Sequence, residues 1–142
     1  MAYKMVRASS NDQIEEAYKV RREVFINEQG VPENLEFDRF DSYAKHYVVY
    51  DGDEVIGTVR ILYGSVFAKI QRFAVVSSKR QNGVGRYMMQ YVLDILKQEG
   101  QKMIILDAQV RVEEFYRKFG FVRMGSEFMD AGIPHVKMCL KF

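Results

Sequence analysis

Val136, Met138, Leu140 and Phe142 alternate with polar partners, which predicts a strand over His135–Phe142. A different period rules the middle of the chain. Val84, Met88, Met89, Val92, Leu93 and Leu96 recur at helical spacing and predict a helix over Val84–Gln98, stopped at Gly100. Near the N-terminus, Ile14, Ala17, Tyr18, Arg21 and Phe25 share one face of a helix over Ser10–Phe25. Ser10 and Gln13 supply its capping box. The segment Met1–Ala8 before it reads as a strand. Lys45–Tyr63 is a hairpin turning at Asp51-Gly52, because a tight hairpin turn needs positive φ at its central residues. Phe67–Val76 is a further strand. The unbroken apolar run in Lys102–Ala108 predicts a strand buried on both faces. A short helix over Val110–Gly120 and a strand over Phe121–Gly125 follow. The polar, acidic and aromatic stretch Ile26–Ala44 is long for a loop, which points to function or a second short helix. The order is strand, helix, long loop, three strands, helix, strand, helix, two strands. The fold class is therefore α/β, a mixed sheet with helices packed on it.

The chain has 142 residues, a length for one domain spanning 1–142. A 48% hydrophobic and 28% charged composition suits an ordinary globular core. The net charge of +2 is too small to argue for nucleic acid. The lone cysteine, Cys139, rules out an internal disulfide and favours a reducing compartment. The N-terminus lacks the apolar run of a secretion signal, and no segment approaches the roughly 20 apolar residues of a membrane span. A cytoplasmic protein without membrane partners is expected. No His, Cys or Asp cluster has metal-ligand spacing, so no metal is expected.

One stretch asks for chemistry. Residues 79–86 read KRQNGVGR, with two glycines where a strand hands over to a helix. The N–H groups of a helix's first turn lack partners, and the helix dipole is positive there. Glycines allow close backbone approach, and Arg80 and Arg86 add charge. The segment can thus hold a diphosphate. Alternatively, Gly83 and Gly85 simply relieve crowding in a tight turn. It is neither a P-loop, since no Gly-Lys-Ser/Thr follows, nor a full dinucleotide fingerprint, since the third glycine is missing.

Arg80-Gln81-Asn82-Gly83-Val84-Gly85 matches the Arg/Gln-x-x-Gly-x-Gly/Ala pattern of the GNAT N-acetyltransferase superfamily. IQRFAVV (70–76) resembles that family's central strand, and EEFYRKFGF (113–121) its LYxKxGF signature. Residues 20–49, 107–121 and 130–138 look like the ElaA-like, YjcF-like branch. This resemblance implies the GNAT acyltransferase fold: a mixed, mostly antiparallel twisted sheet flanked by helices, with splayed central strands. It implies acetyl-CoA as co-substrate. The diphosphate would lie on the N–H groups of Gln81, Asn82, Gly83, Val84, Gly85 and Arg86, beside Arg80. The pantetheine arm would run along Phe73, Ala74 and Val75, and a backbone N–H near Ala74 or Val75 would polarise the thioester carbonyl. Tyr116 falls at the position that commonly protonates the departing thiolate, although a plain core aromatic would look the same. Gln109 stands where many members carry a pantetheine-contacting Asn.

The resemblance implies an acceptor that is a primary amine of a small molecule, with amino sugar phosphates suggested by the branch's grouping. Such an amine is mostly protonated at neutral pH and must lose a proton before it attacks. Arg21, Glu28, Glu36, His46 and His135 are candidates for holding it. For each the alternative is structural: a solvated acidic loop, an ion pair of Arg21, or histidines serving as hydrogen-bond donors. The competing reading is a CoA-binding sensor or scaffold with little activity. A homodimer is open to the chain, since many relatives pair through late strands.

Overall fold

The computed structural model describes residues 3–142. The sheet contains β1 (Tyr3–Arg7), β2 (Lys45–Asp51), β3 (Glu54–Tyr63), β4 (Ala68–Val75), β5 (Met103–Gln109), β6 (Val122–Arg123), β7 (Phe128–Asp130) and β8 (Ile133–Lys141). Its order is β1-β2-β3-β4-β5-β8-β6, with β7 also on β8. Every pair is antiparallel except β4–β5. The helices are α1 (Asn11–Arg21), α2 (Glu33–Glu36), α3 (Val84–Gln98) and α4 (Glu113–Arg117). The first strand thus covers Tyr3–Arg7 of the expected Met1–Ala8; Met1 and Ala2 lie outside the described residues.

Local rules carry through at several points. Ser10 and Gln13 form the reciprocal capping box at the start of α1. All six residues of the α3 stripe are buried against the sheet. The β2–β3 hairpin keeps Gly52 in its turn, at φ +61°, but one residue later than expected: Asp51 pairs with Glu54, so the central residues are Gly52 and Asp53, and only Gly52 has positive φ. The long segment before β2 contains α2 and a 3-10 turn at Arg39–Ser42.

Three features depart from the sequence reading. The first helix does not end at Phe25. It passes at Arg22 into a π-helical stretch, Arg22–Glu28, that a 3.6-residue period does not describe. The short helix near the C-terminus covers less than the expected Val110–Gly120, α4 spanning Glu113–Arg117 after a 3-10 turn at Val110–Val112. And β7, a strand of three exposed residues, forms a hairpin with β8 through Ala131 and Gly132, at φ +49° and +75°. With no buried face, β7 has no apolar alternation to find.

The β4–β5 seam positions the site. Ala68, Lys69 and Ile70 pair with Ile104, Ile105 and Leu106, and the ladder then stops. Beyond it β4 continues to Val75 on β3, and β5 continues to Gln109 on β8. The two central strands part and leave a V open at their C-terminal ends. A bulge assists the parting. Thr58 faces Ala74 and Arg60 faces Gln71, so Arg72 and Phe73 together oppose Val59, with Arg72 at φ +54°.

Candidate active site

The V opens into a cleft of about 750 Å³. Phe73, Ala74 and Val75 form one wall, Leu106, Asp107 and Gln109 the other. The N-terminus of α3 closes one end. The π-helical stretch and α2 flank the other.

At the α3 end the backbone turns through two left-handed residues, Gln81 at φ +66° and Gly83 at φ +79°. Gly83 is the N-cap of α3 and offers no capping side chain. None of the backbone N–H groups from Gln81 to Arg86 reaches an acceptor in good hydrogen-bond geometry among the described residues. Six successive donors next to a positive helix end make an anion cradle. A Cβ at Gly85 would lie 3.4 Å from the Phe115 ring, in ordinary van der Waals contact, so only a side chain larger than alanine would crowd it. Arg86 lines the cleft. Asn82 does not; its amide donates to Arg80 O at 3.0 Å. Arg80 lines the cleft but is engaged, donating to both carboxylate oxygens of Glu28 and from Nε to Val75 O at 3.0 Å.

In the middle, the Tyr116 ring packs at 5.2 Å from Phe115 and 6.4 Å from Phe73. This burial pushes its phenol up to about 12. Its hydroxyl has no hydrogen-bond partner among the described residues, yet Tyr116 lines the cleft. Gln109 is spanned across the opening: its Nε2 donates to Gln29 Oε1 at 2.9 Å, and its Oε1 accepts from Arg111 at 3.0 Å.

The far end is built on three arginines and three carboxylates. Arg21, 0% exposed, donates to Glu36 Oε2 at 2.9 Å and Asp41 Oδ1 at 2.6 Å. Arg60, 1% exposed, donates to Asp38 and Asp41, each at 2.7 Å. Arg72 lies 3.1 Å from Glu36 Oε2 and donates to Glu36 O at 3.0 Å. Desolvation opposes the charge on all three acids. At Asp41 the paired arginines overcome it and hold the carboxyl at about 2; at Glu36 desolvation wins and the pKa is raised. His46 donates from Nε2 to Asp41 O, and burial lowers its pKa.

The sequence from residue 6 to 142 matches the family model described as an acetyltransferase (GNAT) domain. The chain belongs to the GNAT family. It is similar to the uncharacterized N-acetyltransferase YjcF of Bacillus subtilis, 38% identical over 95% of this chain and 97% of that protein. The crystal structure of Escherichia coli ElaA superposes with a TM-score of 0.87 at 26% identity, covering 98% of this chain and 99% of that one. A GNAT family acetyltransferase from Elizabethkingia anophelis, solved with acetyl-CoA bound, shares the fold at TM-score 0.77 and 13% identity, over 99% and 98% of the two chains. The GNAT domain here is thus an acyltransferase, and its branch is the one that ElaA and YjcF represent.

Within this GNAT cleft, most of the residues named from sequence come together: Phe73, Ala74, Val75, Arg80, Gln81, Gly83, Val84, Gly85, Arg86, Gln109 and Tyr116, together with Glu28, Glu36 and His135. Arg21, His46 and Asn82 do not line it. Arg21 is saturated inside the ion network, and His46 is sealed beneath it with Nδ1 unpartnered. His135 donates from Nδ1 to Ile133 O at 2.7 Å and stacks on Phe128. Sequence reasoning missed Arg60 and Arg72. Each stands at a strand position where a polar residue ordinarily marks the solvent face. It missed as well the pairing of Asp107 with Lys69 at 3.0 Å and Lys137 at 2.9 Å across three strands. Only the topology brings these together.

Proposed function

We propose that this GNAT domain transfers the acetyl group of acetyl-CoA to the primary amine of a small molecule, by direct attack of the amine on the thioester. The observation that carries this reading is the run of unpartnered N–H groups from Gln81 to Arg86, facing a cleft formed where β4 and β5 part. That run suits the cofactor's diphosphate. The edge of β4 from Gln71 to Val75 has no β5 partner, so its main chain can pair with the pantetheine arm. A backbone N–H near Ala74 or Val75 then stabilises the developing oxyanion, an effect of about 3 kcal/mol.

Tyr116 supplies the proton to the departing sulfur in this reading. Its raised pKa keeps the phenol protonated throughout the neutral range. The aromatic packing around it excludes water from the leaving group. Arg80 acts chiefly as a tether, since its guanidinium is committed to Glu28 and Val75. Gln109, bridged to Gln29, spans the cleft as a strut that the pantetheine arm can displace or use.

Calorimetric titration of acetyl-CoA, with CoA and dephospho-CoA as controls, tests the cofactor assignment. Saturable binding in the micromolar range is expected. Absence of binding by all three, on protein shown to be free of bound nucleotide, would overturn it. Thiol release with a panel of amines that includes amino sugar phosphates then separates an enzyme from a CoA-binding sensor.

A further inference from the structure

Glu36 is a carboxylate with its two oxygens in different situations. Oε2 is pinned by Arg21 Nε at 2.9 Å and by Arg72 Nε at 3.1 Å. Oε1 has no partner among the described residues, and it is not sealed from the cleft that Glu36 lines. The side chain is otherwise 3% exposed. Its position is set relative to the reacting strand, because Arg72 immediately precedes Phe73 and its guanidinium also holds the Glu36 carbonyl at 3.0 Å. The left-handed bulge at Arg72 turns that side chain toward α2. Of the other carboxylates lining the cleft, Glu28 has both oxygens bound to Arg80 and Asp107 pairs with Lys69 and Lys137, while Asp130 sits in the exposed strand β7.

From this geometry we infer that Glu36 is the proton acceptor for the attacking amine, a role that rests on the acetyl-transfer reading given above. The incoming ammonium donates a hydrogen bond to Glu36 Oε1 and gives up one proton to it. The neutral nitrogen then forms the C–N bond to the thioester carbon. The C–S bond breaks, the sulfur takes a proton from Tyr116, and the surplus proton on the new amide nitrogen returns to Tyr116. The Glu36 proton leaves to solvent, so the balance is ammonium plus acetyl-CoA giving amide, CoA thiol and one proton.

The surroundings favour this division of labour. Arg21 from α1, Arg72 from β4 and Arg60 from β3 act on Glu36 and lower its pKa, but desolvation outweighs them. Asp38 and Asp41 engage Arg60 and Arg21, and His46 lies beneath them, so among the described residues no cation pairs with the open oxygen. A carboxylate with a raised pKa is a better base than a solvated one. Two arginines keep it from rotating away.

The test compares ethylamine, protonated at neutral pH, with 2,2,2-trifluoroethylamine, which is mostly neutral there and of similar size. Acetyl-CoA affinity is measured first in each protein by calorimetry. For Glu36→Gln, ethylamine-dependent kcat/KM is expected to fall by about 100-fold or more, and the trifluoroethylamine value by less than about tenfold. Equal losses for both amines, or no loss for ethylamine, would overturn the assignment. Should Glu36→Gln fail to fold, Glu36→Asp carries the test: it keeps the charge but retracts the oxygen, so ethylamine activity drops about tenfold with little change for trifluoroethylamine. Wild-type protein that binds no acetyl-CoA, or binds it and turns over neither these two amines nor any amine of the panel above, instead refutes the acetyl-transfer reading and the base with it.

Discussion

Arg80 and Glu28 face each other through two parallel hydrogen bonds of 2.6 and 2.7 Å, joining the segment after β4 to the π-helical stretch after α1. With Gln109–Gln29 it makes a pair of side-chain bridges, one from the end of each splayed strand. Both reach neighbouring residues on one helical turn. That turn therefore roofs the cleft, and its height is set from both walls.

The pair is more than a third exposed on each side, so its worth to stability is small and screened by salt. Glu28→Gln should leave the melting temperature within a few degrees of wild type. It should also release Arg80 toward the anion cradle. The expected result is acetyl-CoA binding that is unchanged or tighter, with a steeper salt dependence, measured by titration at two ionic strengths. Weaker binding would mean that the bridge itself shapes the cradle.

The two glycines of the turn should respond differently to substitution. Gly83 sits at φ +79° with nothing within 4 Å of a would-be Cβ. Gly83→Ala should cost about 1 kcal/mol of stability through backbone strain alone. At Gly85 a Cβ would touch Phe115 at 3.4 Å and Phe73 at 3.8 Å, and valine would add two methyls to that contact. Gly85→Val should displace the Phe115 ring and reduce acetyl-CoA affinity by tenfold or more, about 1.4 kcal/mol, in a calorimetric titration.

Tyr116→Phe removes a hydroxyl that has no hydrogen-bond partner among the described residues and leaves the aromatic packing intact. Folding and acetyl-CoA affinity should stay near wild type while kcat falls about 100-fold. Stopped-flow thiol detection separates this from a defect in cofactor binding. A variant with unchanged kcat would reduce Tyr116 to a packing residue.

Asp41 gives an acid-stability prediction. Its pKa falls from 3.8 to about 2 in the folded chain, so its contribution is full above about pH 4 and disappears as pH falls through 2. The shift corresponds to at most about 2.5 kcal/mol. Asp41→Asn should lower stability at neutral pH by that order and flatten the loss on acidification, as read from urea melts at several pH values. Glu36 runs the other way, because its raised pKa favours the folded state only once it is protonated.

The sequence was most informative where one local rule acts alone. The α3 stripe, the Ser10–Gln13 box and the turn at Gly52 each follow from periodicity, capping or φ preference. The cradle was legible for the same reason, since its glycines and the helix start lie within eight residues. The π-helical stretch was not, because apolar spacing assumes a fixed number of residues per turn. The ion network was legible only in part. Arg21, Glu36, Asp38 and Asp41 stand out as charges in one segment, but Arg60 and Arg72 reach them from β3 and β4, and no spacing encodes that meeting. Nothing in the order of residues reveals which oxygen of Glu36 is left open. That depends on where two guanidiniums from different elements come to rest.

The seam between β4 and β5 holds only three residue pairs, so the sheet resembles two leaves of a book bound by a short spine. One leaf is β1 to β4, the other β5 to β8. Opening along the spine breaks few hydrogen bonds, and amide exchange along Ala68–Ile70 and Ile104–Leu106 should report it at free energies well below global unfolding. A ligand lying between the leaves supplies the missing rungs. At 100 times its Kd it adds about 2.7 kcal/mol to the folded state. The gap that admits a cofactor is thus also where the empty protein is most easily pried apart, and occupancy of the cleft becomes a structural bond of the fold.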